Sequence, residues 1–251
     1  MRPCVSVPCF FGKDDFSDAV AKVASAGYDA AEIWGWEKLD LERAKNALDE
    51  NGVELLSMCT TVHKPNLPEL REEFVSGVRK SCEAARKLGA KMLISQVGQD
   101  SGEPREKQHE SIVLGLRAAV PVLEEYGVTL MIEPLNILVD HKGYYMPSSA
   151  EAFDIVREAG STCVKVVFDI YHQQITEGNI IPNIVNNLDL IAHLHAAGHP
   201  GRHELWLGEN DYRFVMSELE RAGYKGALGL EYKPTLDPFE SLVKTKELYF
   251  S

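Results

Sequence analysis

The chain is 251 residues long, 45% hydrophobic and 25% charged, which suits a single domain over 1-251 with a substantial core. Its net charge of -12 opposes binding to a phosphate backbone, no apolar run is long enough to cross a bilayer, and the start Met1-Arg2-Pro3-Cys4-Val5 lacks a signal peptide's apolar segment, so a cytoplasmic protein without nucleic-acid or membrane partners is expected. The five cysteines, Cys4, Cys9, Cys59, Cys82 and Cys163, include no Cys-x-x-Cys pair and read as reduced packing residues.

In chain order, apolar β-prone runs alternate with helical patterns, the sign of βα units around a parallel sheet. Strands are expected near Cys4 to Cys9, Ala30 to Trp34, Glu54 to Thr60, Lys91 to Val97, Thr129 to Pro134, Val164 to Tyr171, Leu190 to Ala196 and Ala227 to Tyr232, each followed by a helix. Asp14-Asp15 and Pro147-Ser148-Ser149 mark helix starts, and Gly27, Gly52, Gly89, Gly127, Gly160 and Gly223 mark helix ends. Eight such units predict an α/β chain folded as a single-domain (β/α)8 TIM barrel, whose usual size is about 250 residues. A doubly wound sheet is disfavoured because no glycine-rich phosphate turn follows the first strand. The longest strand-to-helix connection is expected at Gly198 to Asn210, after the histidine-bearing strand, where such a loop often covers a site.

Four of these strands end in a residue that can bind a divalent metal: Leu130-Met131-Ile132-Glu133, Val166-Val167-Phe168-Asp169, Ile191-Ala192-His193-Leu194-His195 and Leu228-Gly229-Leu230-Glu231. One carboxylate at a strand end is ordinarily a loop anchor or a helix cap. Four ligand types in register imply a shared site, because in a parallel barrel the carboxyl ends of all strands open on one face. Two glutamates, an aspartate and an imidazole suit one divalent ion, Mn2+ or Mg2+ first, with Co2+ or Zn2+ behind them. Such an ion holds the oxygens of a hydroxy-ketone or 2-oxo acid and stabilises the enediolate left when the adjacent carbon loses a proton. Glutamates on opposite sides of it then serve as base and acid. Alternation puts His193 and His195 on the same strand face, so the pattern alone leaves both open as the imidazole.

Five motifs in order, Ile132-Glu133-Pro134-Leu135-Asn136, Phe168-Asp169-Ile170-Tyr171-His172, His193-Leu194-His195, Pro200-Gly201-Arg202-His203-Glu204 and Leu230-Glu231-Tyr232-Lys233-Pro234, resemble those of hydroxypyruvate isomerase-like proteins. These belong to the xylose isomerase-like barrel superfamily, which also holds the ketose 3-epimerases. The resemblance implies Glu133, Asp169, His195 and Glu231 as metal ligands, with the spacing to Pro-Gly-Arg favouring His195, and Glu133 and Glu231 as the acid/base pair. It implies that His172 touches substrate oxygens and that Arg202 binds the substrate's oxygenated end, where its fork of donors suits a carboxylate or a pair of oxygens. Two departures matter. Hydroxypyruvate isomerases carry Gln where His195 stands and the 3-epimerases carry His, which leans toward sugars. The epimerases also carry a second glutamate at the position of Val139, which weakens a strict 3-epimerase reading. His141, within Val139-Asp140-His141-Lys142-Gly143-Tyr144-Tyr145, is similar to a histidine in the metal-dependent subunit of C-glycoside deglycosidases and is a candidate third acid/base residue.

Glu32, Trp34, His63 and Gln96 occupy comparable strand ends and are candidates to line the substrate cavity, with a packed structural role as the plainer reading of each. The plainer role for His172 is a rim histidine bonded to a backbone carbonyl, and for Arg202 a surface salt bridge to Glu204 or Glu209. Trp206 is expected at a lid or a dimer contact. The function expected is a metal-dependent isomerase or epimerase acting on hydroxypyruvate, a 2-oxo-tetronate or a ketose. The alternative is a lyase of the same fold, such as a C-glycoside deglycosidase catalytic subunit or an inosose dehydratase. A DNA-repair endonuclease of the superfamily would need more metal ligands and a basic groove. The partners expected are a small carbohydrate-like substrate, a second or further copies of the chain as a dimer or tetramer and, for the lyase, a small second subunit.

Overall fold

Neighbouring strands pair in parallel in chain order until the last meets the first, closing a barrel of eight. The computed structural model describes residues 1–251 and gives the strands as β1 (Arg2–Ser6), β2 (Ala30–Ile33), β3 (Glu54–Cys59), β4 (Met92–Ser95), β5 (Thr129–Ile132), β6 (Val164–Asp169), β7 (Ile191–Ala196) and β8 (Ala227–Leu230). Outside them run α1 (Val7–Phe11), α2 (Phe16–Ser25), α3 (Leu41–Asn51), α4 (Arg71–Leu88), α5 (Arg105–Tyr126), α6 (Ser149–Ala159), α7 (Ile170–Thr176), α8 (Ile180–Val185), α9 (Tyr212–Arg221) and α10 (Pro238–Tyr249). The strands are nearly continuous apolar runs because helices cover one face and the barrel's own filling covers the other. A core of 64 buried residues lies between barrel and helices. Smaller clusters fill the inside, with Cys4, Ala30, Leu56 and Ala227 in one and Ile94, Met131 and Val167 in another. No helix is long and apolar enough to cross a membrane.

Local chemistry explains most element ends. Asp15, Asp40, Asp211 and Asp237 accept backbone N–H bonds as N-caps of α2, α3, α9 and α10. Gly52 and Gly127 end α3 and α5 at φ of 64° and 63°, left-handed backbone that a side chain would strain.

Several expected boundaries differ. The first strand stops at Ser6, because Pro8 in the first turn starts a short helix that takes Cys9 with it. The tails expected beyond Ile33, Cys59, Ser95, Ile132, Asp169 and Leu230 are loop or helix, so the polar residues at these ends stand free of the ladder. α6 starts where Pro147-Ser148-Ser149 marks it, with Ser148 in the N-cap position, but the Ser148 and Ser149 hydroxyls bond Glu177 rather than the helix backbone. The longest strand-to-helix connection is residues 133–148, after β5, rather than the segment after β7. Trp206 is half-buried with Lys244 Nζ 4.6 Å above its ring and does not line the main cavity.

Two irregularities of register shape the interior. β2 and β3 pair Ala31 with Leu55 and then Glu32 with Ser57, which bulges β3 at Leu56. β6 and β7 pair Val166 with Ile191 and then Val167 with His193, which bulges β7 at Ala192 and sets Asp169 opposite His195. Bulges re-aim the side chains that follow them.

Candidate active site

The carboxyl ends of the strands enclose a cavity of about 430 Å³, within the range of about 300–1,000 Å³ usual for ligand pockets. Glu32, Trp34, His63, Gln96, Glu133, His141, His172, His195, Arg202 and Glu231 line it. Glu133 and Glu231 follow directly on β5 and β8, Asp169 ends β6 and His195 lies in β7. One ligand atom from each of these four lies within 4.8 Å of those of the others, and all four residues are buried. His195 Nδ1 stands 3.4 Å from Glu133 Oε1 and 3.4 Å from Glu231 Oε2. Neither Glu133 Oε1 nor His195 Nδ1 has a hydrogen-bond partner. Buried polar atoms left without partners are costly, and here they converge on one point. Three carboxylates and one imidazole without a thiol fit a hard-to-borderline divalent cation such as Mn2+ or Mg2+.

Asp169 divides its oxygens. Oδ1 accepts from Tyr171 N at 2.8 Å and His172 N at 3.4 Å, capping α7, while Oδ2 faces His172 Nε2 at 3.4 Å. Burial pushes its carboxyl above the usual range although Arg202 opposes this. Glu231 is also raised by burial, but His195 and Arg202 more than offset that and hold it below the usual range. The Arg202 guanidinium lies 2.5 Å from Glu231 Oε2, 3.6 Å from Asp169 Oδ2 and 5.2 Å above the Tyr171 ring. It does not pair with Glu204 or Glu209. Its φ of 57° is left-handed, and non-glycine residues held there cluster at functional sites. The Trp34 indole N–H donates to the second Glu231 oxygen at 2.9 Å, although the side chain is 48% exposed.

His172 is buried, and burial together with Arg202 lowers it to about 3, so its ring is neutral. Its proton position follows from Asn136. That amide's oxygen accepts from Val139 N and Asp140 N, so its NH₂ group donates to Asp140 Oδ2 at 2.8 Å and to His172 Nδ1 at 2.6 Å. With Nδ1 accepting, the proton sits on Nε2, which has no hydrogen-bond partner. His172 is thus a donor on the cavity wall rather than a rim residue on a carbonyl. His141 lies beside it, ring centroids 5.1 Å apart. His63 faces Thr60 Oγ1 at 3.2 Å and is lowered by burial.

Glu32 is 2% exposed and its Oε2 is already engaged by His193, His195 and Ser57, which leaves Oε1 alone to meet the cavity. Sequence reasoning did not single out Asn136, Asp140, Tyr171, Ser57 or Gly229. Asn136 and Tyr171 fall inside the quoted motifs, but their use depends on contacts between β5 and α7 that no spacing encodes.

A family model described as xylose isomerase-like TIM barrel matches residues 20–246. Hydroxypyruvate isomerase of Escherichia coli (strain K12) is 30% identical over 248 residues, covering 93% of this chain and 94% of that protein. 2-Oxo-tetronate isomerase of Cupriavidus necator is 28% identical over 251 residues, covering 93% of each. A solved structure of an AP endonuclease, family 2, from Brucella melitensis superposes with a TM-score of 0.93 at 24% identity, covering 99% of this chain and 100% of that one. At that identity the likeness is one of fold.

Proposed function

The chain belongs to the xylose isomerase-like TIM barrel family, and from that premise we propose that it is a metal-dependent isomerase or epimerase of a small hydroxy-ketone, 2-oxo acid or ketose. The observation that carries this reading is the approach of Glu133 and Glu231 to the same imidazole nitrogen, at 3.4 Å each, in the wall of the cavity. Two carboxylates converging on one point suit removal of a proton from a carbon beside a carbonyl by one and its return by the other. The names of the relatives, hydroxypyruvate isomerase and 2-oxo-tetronate isomerase, support an isomerase.

A divalent ion held by Glu133, Asp169, His195 and Glu231 would supply positive charge opposite the oxygens that become negative as the proton leaves. The chain's other groups divide the remaining work. Arg202 holds Glu231 in its ionised form and brings donors to the substrate's oxygenated end. Trp34 fixes the Glu231 carboxylate from the other side. The His172 Nε2–H donates to a substrate hydroxyl or carbonyl oxygen, and its neutral ring neither adds charge nor takes the proton being moved. The partner proposed is a carbohydrate-like small molecule, with the chain working as a dimer or tetramer in the cytoplasm. Nucleic acid is not proposed, given the net charge of -12.

His141 favours a second reading. It lines the cavity beside His172, where a third acid/base group could protonate a leaving substituent and make the protein a lyase that works with a small second subunit.

The test is hydrogen–deuterium exchange followed by NMR, with Mn2+- or Mg2+-loaded protein in D₂O and a panel of hydroxypyruvate, 2-oxo-tetronates, ketoses and 3-oxo-glucosides. Metal-dependent exchange at the carbon beside a carbonyl is the expected result. Glu133→Gln and Glu231→Gln should each remove it while the fold persists. Exchange that persists in either variant would refute the acid/base assignment, and elimination from a 3-oxo-glucoside dependent on His141 would establish the lyase.

A further inference from the structure

Below the four candidate ligands lies a second polar layer that the proposed proton transfer does not use. Glu32 of β2 reaches across the barrel interior to β7, and one of its oxygens, Oε2, stands 3.0 Å from His193 Nε2, 3.3 Å from His195 Nε2 and 3.1 Å from Ser57 Oγ. All four residues are buried. An ionised carboxylate oxygen only accepts, so each of these three neighbours donates: both rings through Nε2–H, the serine through O–H. His195 therefore carries a proton on Nε2 and turns Nδ1, which has no partner, toward Glu133 and Glu231.

We propose that Glu32, seated by His193 and Ser57, is a positioning residue that holds His195 with Nδ1 as the metal-facing nitrogen. The inference rests on reading the quartet as a metal site. Metal-bound histidines commonly donate their other ring N–H to a carboxylate, which fixes ring orientation and raises ligand basicity. Two features show that the arrangement is built in. The bulges at Leu56 and Ala192 bring Ser57 level with Glu32 and set the two histidines on the interior face. Gly229 of β8, opposite His195 in the ladder, leaves the space: a Cβ there would lie 2.6 Å from His195 Cδ2, 2.9 Å from Glu32 Oε1 and 3.0 Å from His193 Nε2. The close neighbours are buried side chains of this cluster, so the strand has room for the Glu32 seat only because residue 229 lacks a side chain. His193 is thereby assigned as well: it orients Glu32 and is not the metal-facing imidazole.

The experiment is a double-mutant cycle on Mn2+ affinity, measured by calorimetry on the full chain for wild type, Glu32→Gln, His195→Gln and the double variant, with thermal unfolding recorded for each. Glu32→Gln is expected to weaken Mn2+ by about 10- to 100-fold in the wild-type background and to have little effect once His195 is gone, because it acts through that ring. The visible spectrum of the Co2+-loaded protein should shift in Glu32→Gln as the imidazole loosens. An equal loss in both backgrounds, or no loss in either, would overturn the proposal. Wild type that binds no ion at all would instead overturn the metal reading itself. If Glu32→Gln does not fold, Ser57→Ala takes its place in the cycle. It removes one donor from the same oxygen, and a smaller loss that again vanishes without His195 is the supporting result.

Discussion

Asp169 shows how one side chain serves fold and site together, with Oδ1 on the first turn of α7 and Oδ2 between His172 and Arg202. The two roles separate by substitution. Asp169→Asn keeps an N-cap acceptor and should unfold close to wild type while losing most of its Mn2+ affinity. Asp169→Ala should lose the affinity and also about 0.5–2 kcal/mol of stability, which paired melting and calorimetry would resolve; equal melting of the two variants would show that the cap contributes nothing. At this scale the sequence carried more than it usually does. Glu133, Asp169, His195 and Glu231 were legible because each ends an apolar run, and the structure gathers them within reach of one ion. Strand alternation gives His193 and His195 one face and does not separate them; the resemblance favours His195, and the contacts of the ring nitrogens give each its place.

At the scale of elements, Glu204 ties the loop after β7 to the turn that starts α10. Its carboxylate accepts from Thr235 N at 2.8 Å, Thr235 Oγ1 at 3.0 Å, Leu236 N at 3.3 Å and Ser241 Oγ at 3.0 Å. Burial raises its proton affinity, but backbone and side-chain donors outweigh that and leave it below the usual carboxylate range. A depressed folded pKa gives stability that is present above the unfolded value, about 4.3, and is lost as pH falls through the folded value. Glu204→Gln should therefore cost about 1.5–3 kcal/mol near neutral pH, with the gap to wild type closing as the melts are repeated at lower acid pH. A gap that stays constant with pH would mean that shape and not charge is what the loop uses. Proximity in sequence offers Glu204 or Glu209 as the plainer partner of Arg202; the loop instead turns Glu204 inward and Arg202 toward Glu231. The order of strands and helices was legible from periodicity, whereas the two bulges were not, because a slip of one residue in pairing leaves no trace in an apolar run.

For the whole molecule, closure of eight strands gathers ligands from the four strands β5 to β8 into one site, so an ion there bridges elements that unfold together. Binding to the folded chain alone adds about 2.7 kcal/mol at a hundredfold excess over Kd, which for a barrel of this size corresponds to roughly 5–10 °C in Tm. Stripping the ion with chelator should lower Tm by that order, and Mn2+ should restore it. A chelator-insensitive Tm at saturating metal would argue that the quartet holds no ion. The barrel itself was evident from the alternation of eight units and the lack of a phosphate-binding glycine turn. Its polar interior layer was not, since Glu32, Ser57, His193 and Gly229 come from four strands and meet only after the sheet has closed.

The bond from the Trp34 indole to Glu231 also gives the protein an optical gauge of its own site. A half-exposed fluorophore that donates to one of the four candidate ligands changes surroundings whenever that carboxylate is drawn elsewhere. Trp36 and Trp206 lie outside the cavity and supply a steady background. Emission should therefore shift on adding Mn2+ or a bound sugar, saturate with the calorimetric affinity, and stop responding in Trp34→Phe, so that ligands can be screened without knowing the reaction.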